Sequence, residues 1–355
     1  MAHEKSEVKK KKRVVFIYGS HGNPTDYELL LPYLEQILKE AERDKKAILL
    51  LLEQAGPSIS GEELKREIQT MFGVSISTAE LLWDEKLIQG VLKTIFEINQ
   101  NKVLKEVQER GARAITNVQA KPLVDFIVNC GLEVRIEECP FEAWLYYQRE
   151  YELLKSGFRL FLRGDEVGSL DCLEKSVEWY LEALKIRDKA FLEFIGELSA
   201  RFPDAHIVTV RGPLHCGIHA ELEKQGIEVR PIAVERFTPD HFFPFELLVS
   251  RLYNGARISP HERREILRRE YIFESLMSLI ERSAIKSSLK AQIVNQIVRR
   301  VDEEELKELL KLLALFTSSG IFRSPEGPAT AVYDWLLEKG KITDEERKCF
   351  EGEAF

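Results

Sequence analysis

Short apolar runs punctuate a chain that is otherwise patterned at helical spacing. Val14–Tyr18, Ile48–Leu52, Leu132–Glu137, Ile207–Val210 and Ile227–Val234 are bounded by glycine, proline or charge. The continuous run Ile48–Leu52 suits a strand buried on both faces, Leu132–Glu137 and Ile227–Val234 read as strands with charged positions between their apolar ones, and together the five predict a mainly parallel sheet. Gly111–Ile115 reads as a further short strand. Between the strands the period changes. Leu29, Leu30, Tyr33, Leu34, Ile37 and Leu38 recur at helical spacing, as do Trp83, Leu87, Val91, Ile95 and Ile98 within a largely helical stretch over 62–111. Thr25 or Asp26 can cap the first helix and Lys45-Lys46 closes it. Further helices are expected over 121–129, over Glu142–Leu162, over Leu170–Arg201 with a bend or break near Arg187, and over 214–225, where Gly226 supplies the stop.

Strands alternating with helices of this length imply a three-layer α/β fold. From Pro260 onward the strand signal is gone. Arg263–Glu281, Lys290–Val301, Glu303–Leu315, Ala329–Glu338 and Thr343–Phe350 predict helices, with a loop at Gly320–Pro328. The expected organisation is a disordered basic tail over 1–12, an α/β domain with long helical insertions over 13–255, and an all-helical C-terminal domain over 256–355.

Composition narrows the class. Of 355 residues, 44% are apolar and 31% charged, enough for a large core, and the net charge is −8. That balance argues against nucleic acid or an anionic membrane as the main partner. The basic run Lys9–Arg13 reads as a solvated tail. No apolar stretch reaches eighteen residues, and Val14–Tyr18 is too short for a signal sequence. Five scattered cysteines without CxxC pairing fit a reducing cytoplasm.

The chemistry gathers where strands end. Val14–Tyr18 runs into Gly19-Ser20-His21-Gly22, and Ile207–Val210 runs into Arg211-Gly212-Pro213-Leu214-His215-Cys216-Gly217. Glu53 ends the second strand. A parallel sheet presents ligand-binding groups at its carboxyl edge, so His21, Glu53 and His215 are expected to converge there. Two neutral imidazoles and a carboxylate can hold Zn²⁺ or Mn²⁺ with a position left for water. Without metal, the same groups can act as general base and orienting carboxylate. His219 lies four residues after His215, on the same face of a helix that starts near Leu214. Gly19, Gly212 and Gly217 allow close backbone approach to a cofactor or anion. Arg187-Asp188 sits mid-helix between Ile186 and Ala190, Phe191 and Phe194, and an inward-facing arginine there needs a carboxylate partner.

These elements in this order resemble the erythromycin-esterase/ChaN-like superfamily, with its TraB and Tiki relatives, over residues 13 to 234. The segment from Arg187-Asp188 to Gly212-Pro213-Leu214-His215-Cys216-Gly217-Ile218 carries the likeness best. The resemblance implies site positions at His21, Glu53, Arg187 and His215. Its first motif departs from the family's: Gly19 stands where relatives often carry a glutamate, with Tyr18 beside it. The superfamily includes esterases, a metal-dependent peptidase and a haem-binding protein, so the likeness implies a site and not a substrate.

The function expected is hydrolysis of an ester or amide bond, with or without Mn²⁺ or Zn²⁺, on a small-molecule or peptide substrate in the cytoplasm. The alternative is a non-catalytic protein binding a small molecule such as haem. The C-terminal helices, with charged stripes such as Asp302–Glu305 before Lys307, offer a surface for a partner or for a second copy of the chain.

Overall fold

A computed structural model describes residues 13–19, 24–53, 61–72, 82–115, 120–234, 241–280, 283, 285, 287–319 and 327–351; of His215 it describes the backbone. The tail expected over 1–12 lies outside the described residues. The described chain divides into two units, one built on a sheet and one of helices. The first takes in residues 1–57, 99–139 and 187–235, and the second 58–98, 140–186 and 236–355. The segment 256–355, expected to form a helical domain, lies in the second unit together with 58–98 and 140–186.

In the first unit, β1 (Arg13–Tyr18), β2 (Ala47–Leu52), β3 (Glu133–Ile136), β4 (Ala205–Arg211) and β5 (Glu228–Ala233) form a parallel sheet in the order β3-β2-β4-β1-β5. This is an α/β fold. The central strands β1, β2 and β4 are apolar because both faces are covered, whereas the edge strands β3 and β5 are only partly buried and carry charged residues. Val15, Ile17, Leu50, Val134, Val208 and Val210 face one way. They pack with Leu30, Leu34 and Ile37 of α1 (Pro24–Asp44), and with Leu123 and Ile127 of α4 (Lys121–Cys130). Alternate positions on β1 face the other way. There Phe16 meets Phe191 edge-on at 6.0 Å and His219 at 4.8 Å between ring centroids.

The topology selects one place on this sheet. From β1 the chain crosses to β2 on one side, whereas from β4 it crosses to β5 on the other. Strands β1 and β4 are neighbours, so their carboxyl ends mark the switch point where α/β sheets bind ligands.

Three sequence expectations are corrected. Gly111–Ala114 is a 3₁₀ turn and not a strand. Gly111 takes a left-handed φ of +57° directly after the helix α3 (Lys93–Arg110), which turns the chain before any strand can start. The helix α6 (Glu166–Arg201) runs without a break through Arg187. The segment 214–225 is two elements: a 3₁₀ turn at Pro213–Ile218 and then α7 (His219–Lys224).

A large apolar cluster lies in the second unit. It includes Leu173, Val177, Leu248, Leu267, Phe273, Leu276, Val294, Leu309, Leu313 and Val332. The helix α9 (Pro260–Ile280) packs against α8 (Pro244–Tyr253), a helix the sequence pattern had not marked, and against α10 (Ser287–Arg299) and α12 (Gly327–Glu338). Between α10 and α12 runs α11 (Glu303–Ser318), where Asp302 and Glu305 form a capping box at the first turn. Among the described residues, no helix is long and apolar enough to cross a membrane.

Candidate functional site at the carboxyl edge of the sheet

Strand register sets one row of side chains across the carboxyl edge. Tyr18 pairs with Arg211 on one side and Ala233 on the other. Leu52 pairs with Val210 and Ile136. One residue further on, Glu53 falls opposite Arg211 and Glu137. The ladder continues this far, since the Glu137 amide donates to the Leu52 carbonyl at 3.1 Å. The row therefore reads Glu137, Glu53, Arg211, Tyr18. Below it lies an apolar row of Ile136, Leu52, Val210 and Ile17. Polarity switches on at the edge where a ligand would meet the sheet.

Glu53 leaves β2 and is met by Arg187 from α6, with Nη1 2.9 Å from Oε1. The Arg187 side chain is 5% exposed and Glu53 17%. Burial removes competing water, so the guanidinium holds the carboxylate in place. Arg187 reaches this height because Phe191, one turn later on the same face of α6, packs on Phe16 in the sheet. Asp188, beside it, is also buried.

The second ion pair was not anticipated. Arg211 ends β4 and its Nη2 donates to Glu137 Oε2, with both side chains enclosed. The Arg211 guanidinium carbon lies 3.4 Å from the centroid of the Phe191 ring. An arginine immediately after an apolar strand and before a glycine was the available signal; its carboxylate, 74 residues earlier, gave none.

Tyr18 Oη and His219 Nε2 share a short hydrogen bond. Burial lowers the pKa of His219, which favours the neutral imidazole and leaves Nε2 able to accept from the phenol. His219 opens α7, whereas His215 belongs to the preceding 3₁₀ turn, so the two are not four residues apart on one α-helical face. That corrects the paired-ligand spacing expected of them. Tyr27, in the first turn of α1, has its phenol pKa raised by burial, then by the carboxylates of Asp26 and Glu53, which brings it into the electrostatic neighbourhood of the site.

The remaining predicted positions fall around this row. His21 lies outside the described residues, two positions past Gly19. The backbone of His215 follows β4 by four residues. Gly19 gives its amide to the Arg211 carbonyl at 3.3 Å, tying the two strand ends together. A Cβ on Gly19 would stand 2.9 Å from Leu30 Cδ2 and 3.5 Å from Val234 Cγ2, so close packing explains the glycine. Gly212 is half-buried and Gly217 exposed. Among the described residues, no three His, Cys, Asp or Glu side chains gather as a metal-holding group. The imidazoles of His21 and His215 are outside that set.

Comparisons with protein-family models, with curated proteins and with solved structures find no match for this chain.

Proposed function

We propose that this chain hydrolyses an ester or amide bond at the carboxyl edge of its sheet, on a fold like that of the erythromycin-esterase/ChaN-like superfamily over residues 13–234. In this reading the sheet is the middle layer, with α1 and α4 on one face and the C-terminal half of α6 on the other. The observation that carries it is Glu53, a strand-end carboxylate held at 2.9 Å by the buried Arg187. A carboxylate fixed in this way next to a topological switch point is suited to orienting an imidazole or a ligand. His21 and His215 act as general base or ligands. Arg187 fixes Glu53 in place and adds positive potential where an oxyanion develops. Gly212 and Gly217 let a substrate or cofactor approach the backbone.

The donor set His21, Glu53 and His215 fits Mn²⁺ or Zn²⁺ by its chemistry. Arg187 already donates to Oε1 of Glu53, which leaves Oε2 as the oxygen best placed to meet such a cation. When bound, the cation supplies a water of lowered pKa. The substrate is a small molecule or peptide in the cytoplasm, and the helices of 256–355 serve assembly of the chain with itself.

One observation favours the second reading, a binding protein without turnover, such as a haem carrier. Gly19 stands at the position where relatives often carry glutamate, and the space around it is filled by Leu30 and Val234. A longer side chain there would not fit without repacking.

Metal content of the purified protein, beside a His21→Ala/His215→Ala variant, tests both readings together with turnover on ester and peptide panels. Near-stoichiometric metal lost in the variant, with turnover lost too, supports the hydrolase. Unchanged turnover in a folded variant overturns it. A tightly bound chromophore with no turnover supports the binding protein.

A further inference from the structure

The carboxyl edge holds a second guanidinium that the proposed hydrolysis does not use. Arg211 is fully buried and the bulkiest of the fully buried described side chains. Its Nη2 is taken by Glu137 and its face by the Phe191 ring. Its Nε and Nη1 meet no acceptor. Two residues earlier, on the same face of β4, Thr209 is also fully buried and its Oγ1 has no partner.

Guanidinium carries five N–H donors and no acceptor, and enclosed polar groups are almost always satisfied. Stability does not account for the arrangement. A buried ion pair gives little over an apolar pair of the same shape, and here it also strands two donors. Three unsatisfied polar atoms on one strand face, at the edge where an α/β sheet takes its ligands, call for an acceptor from outside the chain. Glu137 and Phe191 hold the guanidinium in one orientation, as a recognition site requires.

We propose that Arg211, positioned by Glu137 and Phe191 and joined by Thr209, anchors an oxyanion of the ligand, either a carboxylate or a phosphate group. The inference rests on the reading above only in placing the ligand at the carboxyl edge. It makes Arg211 a specificity determinant: substrates carrying that anion are selected over their neutral analogues.

The test is binding to the full-length protein of acetate, of inorganic phosphate and of acetamide, which has the shape of acetate without its charge. The Arg211 Nε–H resonance and the melting temperature are the readouts. Acetate or phosphate is expected to move the resonance saturably and raise the melting temperature, whereas acetamide does neither. A response to acetate alone assigns a carboxylate; a response to phosphate alone assigns a phosphoryl group. Thr209→Val should weaken the responding anion roughly three- to tenfold, the worth of about one hydrogen bond. Arg211→Met combined with Glu137→Gln removes both charges together, so that no lone ion is left buried, and should abolish the anion-dependent rise. Equal responses to acetate and acetamide, no response to either anion, or an undiminished response in the folded double variant overturns the proposal. Should the double variant not fold, the wild-type and Thr209→Val titrations decide. Anion binding without any hydrolysis would remove the hydrolase reading and leave the anchor standing; turnover without anion binding would do the reverse.

Discussion

Arg187 Nη1 and Glu53 Oε1 lie 2.9 Å apart, joining the middle of a long helix to the end of a central strand. The pair does two things at once. It neutralises an arginine that α6 buries against the sheet, and it fixes a carboxylate at the edge where chemistry is expected. Asp188, the next residue, is buried as well, so charge is concentrated here on a helix face that would otherwise carry apolar residues.

Breaking that pair from one side should be costly. Arg187→Met leaves Glu53 with less compensation and is expected to destabilise the protein by about 2–4 kcal/mol, the low side of the range for buried pairs because Glu53 is partly exposed. Adding Glu53→Gln should restore part of the loss. Urea unfolding of the two single variants and the double measures the coupling. Additive effects within about 0.5 kcal/mol would mean that the two side chains do not support each other.

His219 should make stability fall in mild acid. Burial lowers its pKa in the folded protein, so below about pH 6.5 the unfolded chain binds the proton first. Stability from this group is present above that pH and is lost as pH falls towards the folded value. His206, lowered chiefly by burial too, adds a slope of the same sign. The difference in unfolding free energy between wild type and His219→Gln, followed from pH 7.5 to 5, should shrink as pH drops. A constant difference would show that the imidazole is not kept neutral by the fold.

Glu150 in the helical unit should act in the opposite direction. Burial, with Glu274 adding, pushes its pKa up to about 8, and Glu246 reaches about 7 for the same first reason. The folded protein holds protons that the unfolded chain releases near pH 4.5, so this stability is present in acid and is lost as pH rises through 8. Glu150→Gln should therefore gain on wild type as pH rises from 5 to 8.5, by up to about 1.4 kcal/mol per pH unit. Chemical denaturation at four pH values checks it; a flat difference sinks it.

Gly157 offers a test of packing against propensity. It lies inside α5 (Phe141–Leu162), where alanine would normally gain about 1 kcal/mol. Yet a Cβ there would stand 2.0 Å from the Tyr271 hydroxyl and 3.2 Å from the Ser169 carbonyl. Tyr271 is buried and donates to that same carbonyl at 3.3 Å. Gly157→Ala should destabilise by about 1–3 kcal/mol through overpacking. A melting temperature at or above wild type would show that Tyr271 moves aside freely.

How much of this could be read from one-dimensional order depends on how local each feature is. The three central strands were legible because a strand buried on both faces must be apolar throughout, and the edge strands β3 and β5 from short apolar-polar runs bounded by turn residues. Most of the helices were legible from their period, though not α8, and the glycine turns after β1 and β4 from their composition. Arg187 stood out because a charge between Ile186 and Phe191 on a helix implies an inward partner. Gly111–Ala114 was misread, since four residues carry too little pattern to separate a left-handed turn from a strand.

Which partners meet belongs to the fold alone. The order β3-β2-β4-β1-β5 brings together strands from residues 13 to 233, and no local propensity encodes that order. Glu137 finds Arg211, and Tyr18 finds His219, only after β4 has inserted between β1 and β2 and carried its neighbours to one edge. The helical unit likewise draws on three separate segments, because a hydrophobic core is completed by area and shape and not by nearness along the chain. Residue type and period therefore set the elements and pointed to Glu53, Arg187 and the two glycine turns. Long-range register, which closes only when the whole sheet has formed, set the row Glu137, Glu53, Arg211 and Tyr18.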